Sequence, residues 1–134
     1  MRSMTIENFS LQHTLECGQF FRWQKADGWY YINVRGQFFK IKQKGSTLFF
    51  VNTTRQFLTQ FFRLDDPYKK ILKSIEKDSF ISELISRYYG LRLLRQDPWE
   101  CSVSYLCSMA SNIPKIRGNI EKLSASFGKP LFFD

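Results

Sequence analysis

Three cysteines, one histidine, four prolines and seven glycines are few of each for 134 residues, and each scarcity excludes something. Cys17, Cys101 and Cys107 form an odd set without a C-x-x-C pair, so neither a disulfide framework nor a thiolate zinc site is encoded. The thiols are expected to be small buried hydrophobes of a reducing compartment. With His13 the only imidazole and no G-x-S-x-G, the usual pairings of nucleophile and base are missing. There is no glycine-rich phosphate loop. No apolar run approaches the roughly 20 residues of a membrane span, and Met1-Arg2-Ser3-Met4-Thr5-Ile6-Glu7 lacks the apolar core of a secretion signal. The expectation is a protein with no metal, no cofactor and no membrane partner. Its place is inside the cell: cytoplasm or nucleoid in a bacterium, nucleus in a eukaryote.

Acid is short too. Twelve Asp and Glu face twenty Lys and Arg, a net charge of +8 and a pI near 9.6, which favours a polyanionic partner. The acids that do cluster, Asp65-Asp66 and Asp97-x-x-Glu100, sit at helix starts and read as caps rather than as an acid and base pair. Apolar residues are plentiful: 43% of the chain, with 17% aromatic, enough to bury a sizeable core in one compact unit or a little more.

From Met4 to about Val51 the pattern is strand-like. Phe9, Leu11 and Leu15 open it, Gly18 breaks it, and Gln19 to Trp23 resumes as an aromatic strand ending near Ala26-Asp27-Gly28. Tyr30 to Val34, Gln37 to Lys42 and Thr47 to Val51 follow, separated by Arg35-Gly36 and Lys44-Gly45-Ser46, the signature of an antiparallel meander. Phe39 and Ile41 fall on one face, and Phe38, Lys40 and Lys42 on the other, leaving one side wet and basic.

From Thr54 the period turns helical. Arg55 to Phe62 is a short helix; Asp66 and Pro67 start a second, with Tyr68, Ile71, Leu72 and Ile75 as its buried stripe. Asp78 caps a third, with Phe80, Ile81, Leu84, Ile85 and Tyr88 inward, and Gly90 ends it in the left-handed region. Asp97, Pro98 and Glu100 make a strong helix start, and Trp99, Val103, Leu106 and Ala110 recur as one buried stripe. A last helix runs from about Ile113 to Phe127, with Lys115, Arg117 and Lys122 off its apolar stripe. The spacing of Arg92 and Arg95 among the leucines predicts surface ion pairs. Lys129-Pro130-Leu131-Phe132-Phe133-Asp134 ends in an apolar run with no closing element, the pattern expected of a cut polypeptide.

Three stretches in order resemble the N-terminal half of the 8-oxoguanine DNA glycosylases, base-excision repair enzymes of the helix-hairpin-helix superfamily. They are Phe9-x-Leu11 leading to Cys17-Gly18-Gln19-x-Phe21-Arg22-Trp23; Phe61-Phe62-x-Leu64-Asp65; and Gly90-Leu91-Arg92-Leu93-Leu94-Arg95-Gln96-Asp97-Pro98-x-Glu100, with Asn112-Ile113 beyond. The resemblance implies an α+β fold: a twisted antiparallel sheet likened to half of a TATA-binding protein, then helices. An N-terminal glycosylase domain is expected at 1–96 and the start of the catalytic helical domain at 97–134.

The resemblance also implies roles. In such enzymes the glycine matching Gly18 offers its carbonyl to the lesion, because 8-oxoguanine carries a proton on N7 where guanine carries a lone pair. Facing guanine, two buried acceptors would meet, at a cost of about 1–3 kcal/mol. On local sequence alone Gly18 is a turn or bulge glycine. Asn112 matches the last of a run of asparagines that enters the space left by the flipped nucleotide, and it is equally a helix cap. Ala110 and Ser111 replace the amides expected before it, and Lys115 stands where an arginine reads the opposite cytosine, keeping charge but not the fork geometry. Gly18 is thus the candidate for lesion recognition, and Ser111, Asn112 and Lys115 for DNA contact.

The hairpin, the lysine nucleophile and the assisting aspartate belong beyond Asp134, so no catalytic residue is assigned. The implied function is recognition and excision of oxidised guanine from double-stranded DNA by a full-length glycosylase/AP lyase, a monomer. The 134-residue chain alone is expected to be inactive. The rival is a stand-alone, non-catalytic DNA-binding module; a third possibility is a structural domain using its aromatic sheet for protein contact.

Overall fold

The computed structural model describes residues 1–132; of the terminal run, Phe133 and Asp134 lie outside the described residues. Five strands, β1 (Arg2–Thr5), β2 (Trp23–Ala26), β3 (Trp29–Val34), β4 (Gln37–Lys44) and β5 (Thr47–Val51), form one antiparallel sheet in the order β1-β5-β4-β3-β2. The turns are as the glycines predict. Asp27-Gly28 and Arg35-Gly36 both hold positive φ at their two residues, 50° and 75°, then 51° and 70°, the two-residue turns whose twist matches that of the strands. Strict alternation on β3 to β5 puts Ile32, Val34, Phe39, Ile41, Leu48 and Phe50 in the core at 0–1% exposure, while Lys40 and Lys42 face outward as expected.

β1 pairs with β5 across more than forty residues of chain, Arg2 opposite Phe50 and Thr5 opposite Thr47. The Leu11 and Leu15 region is not a strand. It is α1 (Leu11–Glu16), with Ser10 accepting from the His13 amide; Leu11, Thr14 and Leu15 point into the core, which a three-to-four spacing permits as readily as alternation. The segment from Gln19 to Arg22 precedes β2 rather than forming part of it.

The helical half holds α2 (Arg55–Phe61), α3 (Tyr68–Ile75), α4 (Ser79–Arg87), α5 (Pro98–Ser108) and α6 (Ile113–Phe127). Thr54, Asp78, Asp97 and Asn112 cap four of them through side-chain oxygens. Asp66 does not cap α3, whose start has no side-chain cap; its carboxylate pairs with Arg63 and Arg95 instead, because an ion pair with a well-placed guanidinium outcompetes a neutral amide.

The stripes on α3, α4 and α5 expected to be buried are covered only in part: Tyr68 is buried, Leu72, Ile81, Leu84, Ile85 and Val103 are half-buried, and the rest are exposed. Ile71, Ile75, Phe80 and Tyr88 on α3 and α4 are 40–66% exposed, and Trp99 and Leu106 on α5 are 77% and 64% exposed. Periodicity marks a face that wants cover, not one that has it. On α6 only Ile116 and Ile120 are buried. The thiols are not core groups either: Cys17 and Cys101 are exposed and Cys107 is intermediate. Among the described residues, no helix is long and apolar enough to cross a membrane.

Candidate nucleic-acid interface

The three motif stretches, far apart in the chain, are tied directly to one another. Gln19 donates through Nε2 to the carbonyls of Thr14 (2.9 Å) and Arg92 (2.7 Å) and accepts from the Leu94 amide through Oε1 (2.9 Å). Its own carbonyl accepts from Gln96 Nε2 at 2.6 Å. Two glutamines thereby clamp the segment after α1 to the extended segment 91–97. The second stretch joins through Arg95, whose amide donates to the Phe61 carbonyl and whose guanidinium holds Asp65 and Asp66 at 3.0 and 3.1 Å. Arg95 makes the surface pairs expected of it.

Arg92 does not. It is 6% exposed, donates to the Arg63 and Asn8 carbonyls at 3.1 and 3.2 Å and lies 4.1 Å over the Tyr68 ring. Burial lowers its pKa, opposed by Tyr68, Asp66 and Tyr89. No spacing rule distinguishes it from Arg95; the difference lies in which carbonyls the fold turns toward each guanidinium.

Gly18 sits at the bend between α1 and the clamped segment with φ +85°. A Cβ there would meet only Ile113 Cδ1, at 3.4 Å, so the left-handed backbone, not crowding, calls for glycine. Among the described residues no hydrogen bond reaches its carbonyl. A cavity of about 240 Å³ opens beside it, lined by Leu15, Phe20, Phe21, Trp23, Ile113 and Arg117. Arg117 closes one side, its guanidinium 4.2 Å over the Trp23 ring and 2.7 Å from the Trp23 carbonyl to which it donates. The contact joins α6 to β2. Arg117 was visible in the sequence only as a cation off the α6 stripe, and nothing local marked it as the partner of Trp23.

The α5 to α6 turn carries the other candidates. Ala110 holds φ +50°; Ser111 keeps a buried Oγ with no hydrogen-bond partner among the described residues. Asn112 caps α6, accepting from the Lys115 amide at 3.0 Å, and both Asn112 and Lys115 are exposed. Ile113 brings this turn to the Gly18 cavity, whose lining does not include Ser111, Asn112 or Lys115.

Glu100 was read only as dipole complement to α5. It also reaches the sheet side, 3.8 Å from Arg22, with Oε1 buried and unpartnered. Burial raises its pKa, Arg22 opposes, Asp97 adds to the rise and Arg35 opposes. A carboxyl raised in the folded state favours the protonated fold; the penalty is absent below its ordinary 4.5 and grows as pH climbs through the raised value. Glu100→Gln and the parent are therefore expected to melt together at pH 4, with the variant melting higher at pH 7. Thermal scans at both pH values check this. Glu16 shifts the other way: burial raises it, but hydrogen bonds from Tyr30, Lys25 and Gln12 together hold it below the ordinary value.

Paired glutamines tie the segment after α1 to segment 91–97, and Arg117 ties the start of β2 to α6, in one α+β domain. The chain belongs to the family of the 8-oxoguanine DNA glycosylase N-terminal domain, whose model matches residues 2–101. It is 34% identical over 73 residues to the N-glycosylase/DNA lyase of Saccharomyces cerevisiae, covering 53% of this chain and 19% of that enzyme. It is 27% identical over 136 residues to the N-glycosylase/DNA lyase OGG1 of Arabidopsis thaliana, covering 91% and 36%.

Two solved structures superpose on all of it. MBOgg1 in complex with a low affinity DNA ligand gives a TM-score of 0.89 at 33% identity. The apo-form of the Clostridium acetobutylicum 8-oxoguanine glycosylase/lyase gives 0.90 at 27%. The chain covers 52% and 50% of those proteins, so it spans about half their length.

Proposed function

We propose that this chain supplies the lesion-recognising N-terminal part of an 8-oxoguanine DNA glycosylase/AP lyase, binding double-stranded DNA that contains oxidised guanine. The single observation that carries the reading is the Gly18 carbonyl: a backbone acceptor with no hydrogen bond among the described residues, held at positive φ beside a cavity by side chains of the family's own motifs. An acceptor there pairs with the N7 proton of 8-oxoguanine and repels the N7 lone pair of guanine. Asn112, Ser111 and Lys115 would approach the DNA from the α5 to α6 turn, with Lys115 meeting phosphate or the opposite base. We place the division between the recognition part and the helical part at 96/97. The exposed α5 residues Trp99, Tyr105, Leu106 and Met109, 64–77% exposed, suit a face on which the remainder of such an enzyme packs.

The base-removing chemistry needs a lysine nucleophile that the family holds outside the matched segment. The chain alone is therefore expected to bind a duplex carrying 8-oxoguanine opposite cytosine without nicking it, and Lys115→Ala to reduce the slope of log affinity against log salt by about 0.9. A duplex retention assay with a denaturing-gel readout checks both; strand scission by the purified chain would overturn the reading. The rival, a free-standing DNA module without chemistry, draws on the altered turn, where Ala110 and Ser111 replace amides. It predicts equal affinity for the 8-oxoguanine duplex and the guanine duplex.

A further inference from the structure

The five strands contain no aspartate or glutamate. Their inner side is the core, and their outer side, across the sheet from α1 and the Gly18 turn, mixes small polar residues such as Thr5, Thr47 and Asn33 with rings and lysines. The rings and cations gather on β3, β4 and β5. Lys42 stands opposite Phe49 and Lys44 opposite Thr47. The Lys42 ammonium lies 4.4 Å from the centroid of Trp29 and 5.9 Å from that of Phe49. The Lys40 ammonium lies 5.1 Å from Trp29. Lys42 shields the half-buried rings of Trp29 and Phe49 from water, and Lys42 and Lys44 stand on a sheet whose strands carry no acid. Leu131 and Phe132 border its other end, near Phe38.

A ligand complementary to this end is anionic at regular intervals and carries flat π-faces. A lysine that swings from ring to phosphate uncovers the Trp29 or Phe49 face it shielded, and a base can then take that face; an acidic peptide would draw the lysines away and leave the rings bare, and a duplex keeps its bases stacked inside. Unpaired nucleotides meet both demands, phosphates toward lysine and bases on aromatic rings. We propose that the outer sheet face around Trp29, Lys42, Lys44 and Phe49 binds single-stranded nucleic acid, as a second surface distinct from the Gly18 and Asn112 region.

Fluorescence anisotropy of a labelled 12-nucleotide oligothymidylate with the 134-residue chain tests this. The expected result is salt-sensitive binding. The double variant Lys42→Gln/Lys44→Gln reduces the log-log salt slope by about 1.4, two contacts at roughly 0.7 each. Trp29→Ala weakens binding roughly 5- to 150-fold, the range for loss of one stacked base, while Trp29→Phe, which keeps a ring, retains most of it. Lys115→Ala, which weakens duplex binding, leaves this binding in place, so the two surfaces fail separately. If Trp29→Ala does not fold by circular dichroism, the lysine pair decides. No binding at 50 mM salt, unchanged affinity in the lysine variant, loss in Lys115→Ala, or displacement by polyglutamate without dependence on the Trp29 ring would each overturn the proposal; the last would mark an acidic protein partner instead.

Discussion

Gly90→Ala is expected to lower the stability of the fold by about 2–5 kcal/mol, the sum of left-handed backbone strain of roughly 1–2 and overpacking of roughly 1–3. Gly90 holds φ +90°, and a Cβ there would sit 2.5 Å from the Ser10 amide nitrogen and 2.7 Å from the Phe9 carbonyl carbon. Those are backbone atoms that cannot rotate away. The Gly90 carbonyl also accepts from that Ser10 amide at 2.8 Å, and its amide donates to the Tyr68 hydroxyl at 2.7 Å, so a shift that relieves the clash loses both bonds. Since domains of this kind are stable by about 5–15 kcal/mol, the variant should melt on the order of 10 °C lower. Urea denaturation with the parent as reference measures it; a loss under about 1 kcal/mol would show that the close approach of residues 9–10 to residue 90 is wrong.

The second large effect separates two neighbouring arginines. Arg92→Ala is expected to cost about 2–4 kcal/mol, roughly 1–3 for a buried acceptor left without a donor and about 1 for the lost cation over the Tyr68 ring, because it takes away the donor of the Asn8 carbonyl and one of the two donors of the Arg63 carbonyl. Arg92→Lys recovers only part, since an ammonium cannot reach two carbonyls as a fork and stack at once. Arg95→Ala is expected to cost about 1 kcal/mol, because its pairs with Asp65 and Asp66 are open to solvent. Equal losses at the two positions, or the reverse order, would contradict the assignment of Arg92 as the buried tie between the sheet side and α3.

These arginines show where sequence reading reaches and where it stops. The meander from Trp29 to Val51 was legible because a period of two, punctuated by Asp-Gly and Arg-Gly turns, has few other solutions. Asp78, Asp97 and Asn112 cap helices where local chemistry places them; Asp66 does not, because Arg63 and Arg95 take its carboxylate, and the Thr54 cap of α2 is not singled out by sequence reading. The α1 segment was misread because six residues between Ser10 and Cys17 are too few for periodicity to choose between helix and strand. The stripes of α3, α4 and α5 are covered only in part, Tyr68 fully and Leu72, Ile81, Leu84, Ile85 and Val103 half, because amphipathicity reports a preference for burial while the covering element is a matter of tertiary structure. Arg92, Arg117 and Glu100 took roles no spacing reveals, since each answers to a carbonyl, ring or charge more than twenty residues away. The Gly18 motif was recognisable as a pattern; its physical sense, two glutamines fixing the turn from both sides, needed the fold.

The central claim is that the Gly18 carbonyl discriminates oxidised guanine. The most direct measurement follows the Gly18 carbonyl carbon and the Gln19 amide by nuclear magnetic resonance while two otherwise identical duplexes are titrated in, one with 8-oxoguanine opposite cytosine and one with guanine. A new hydrogen bond to that oxygen moves both signals with the oxidised duplex and leaves them in place with the guanine duplex. Equal shifts with both duplexes, or shifts confined to residues 108–117 while Gly18 stays fixed, would contradict it.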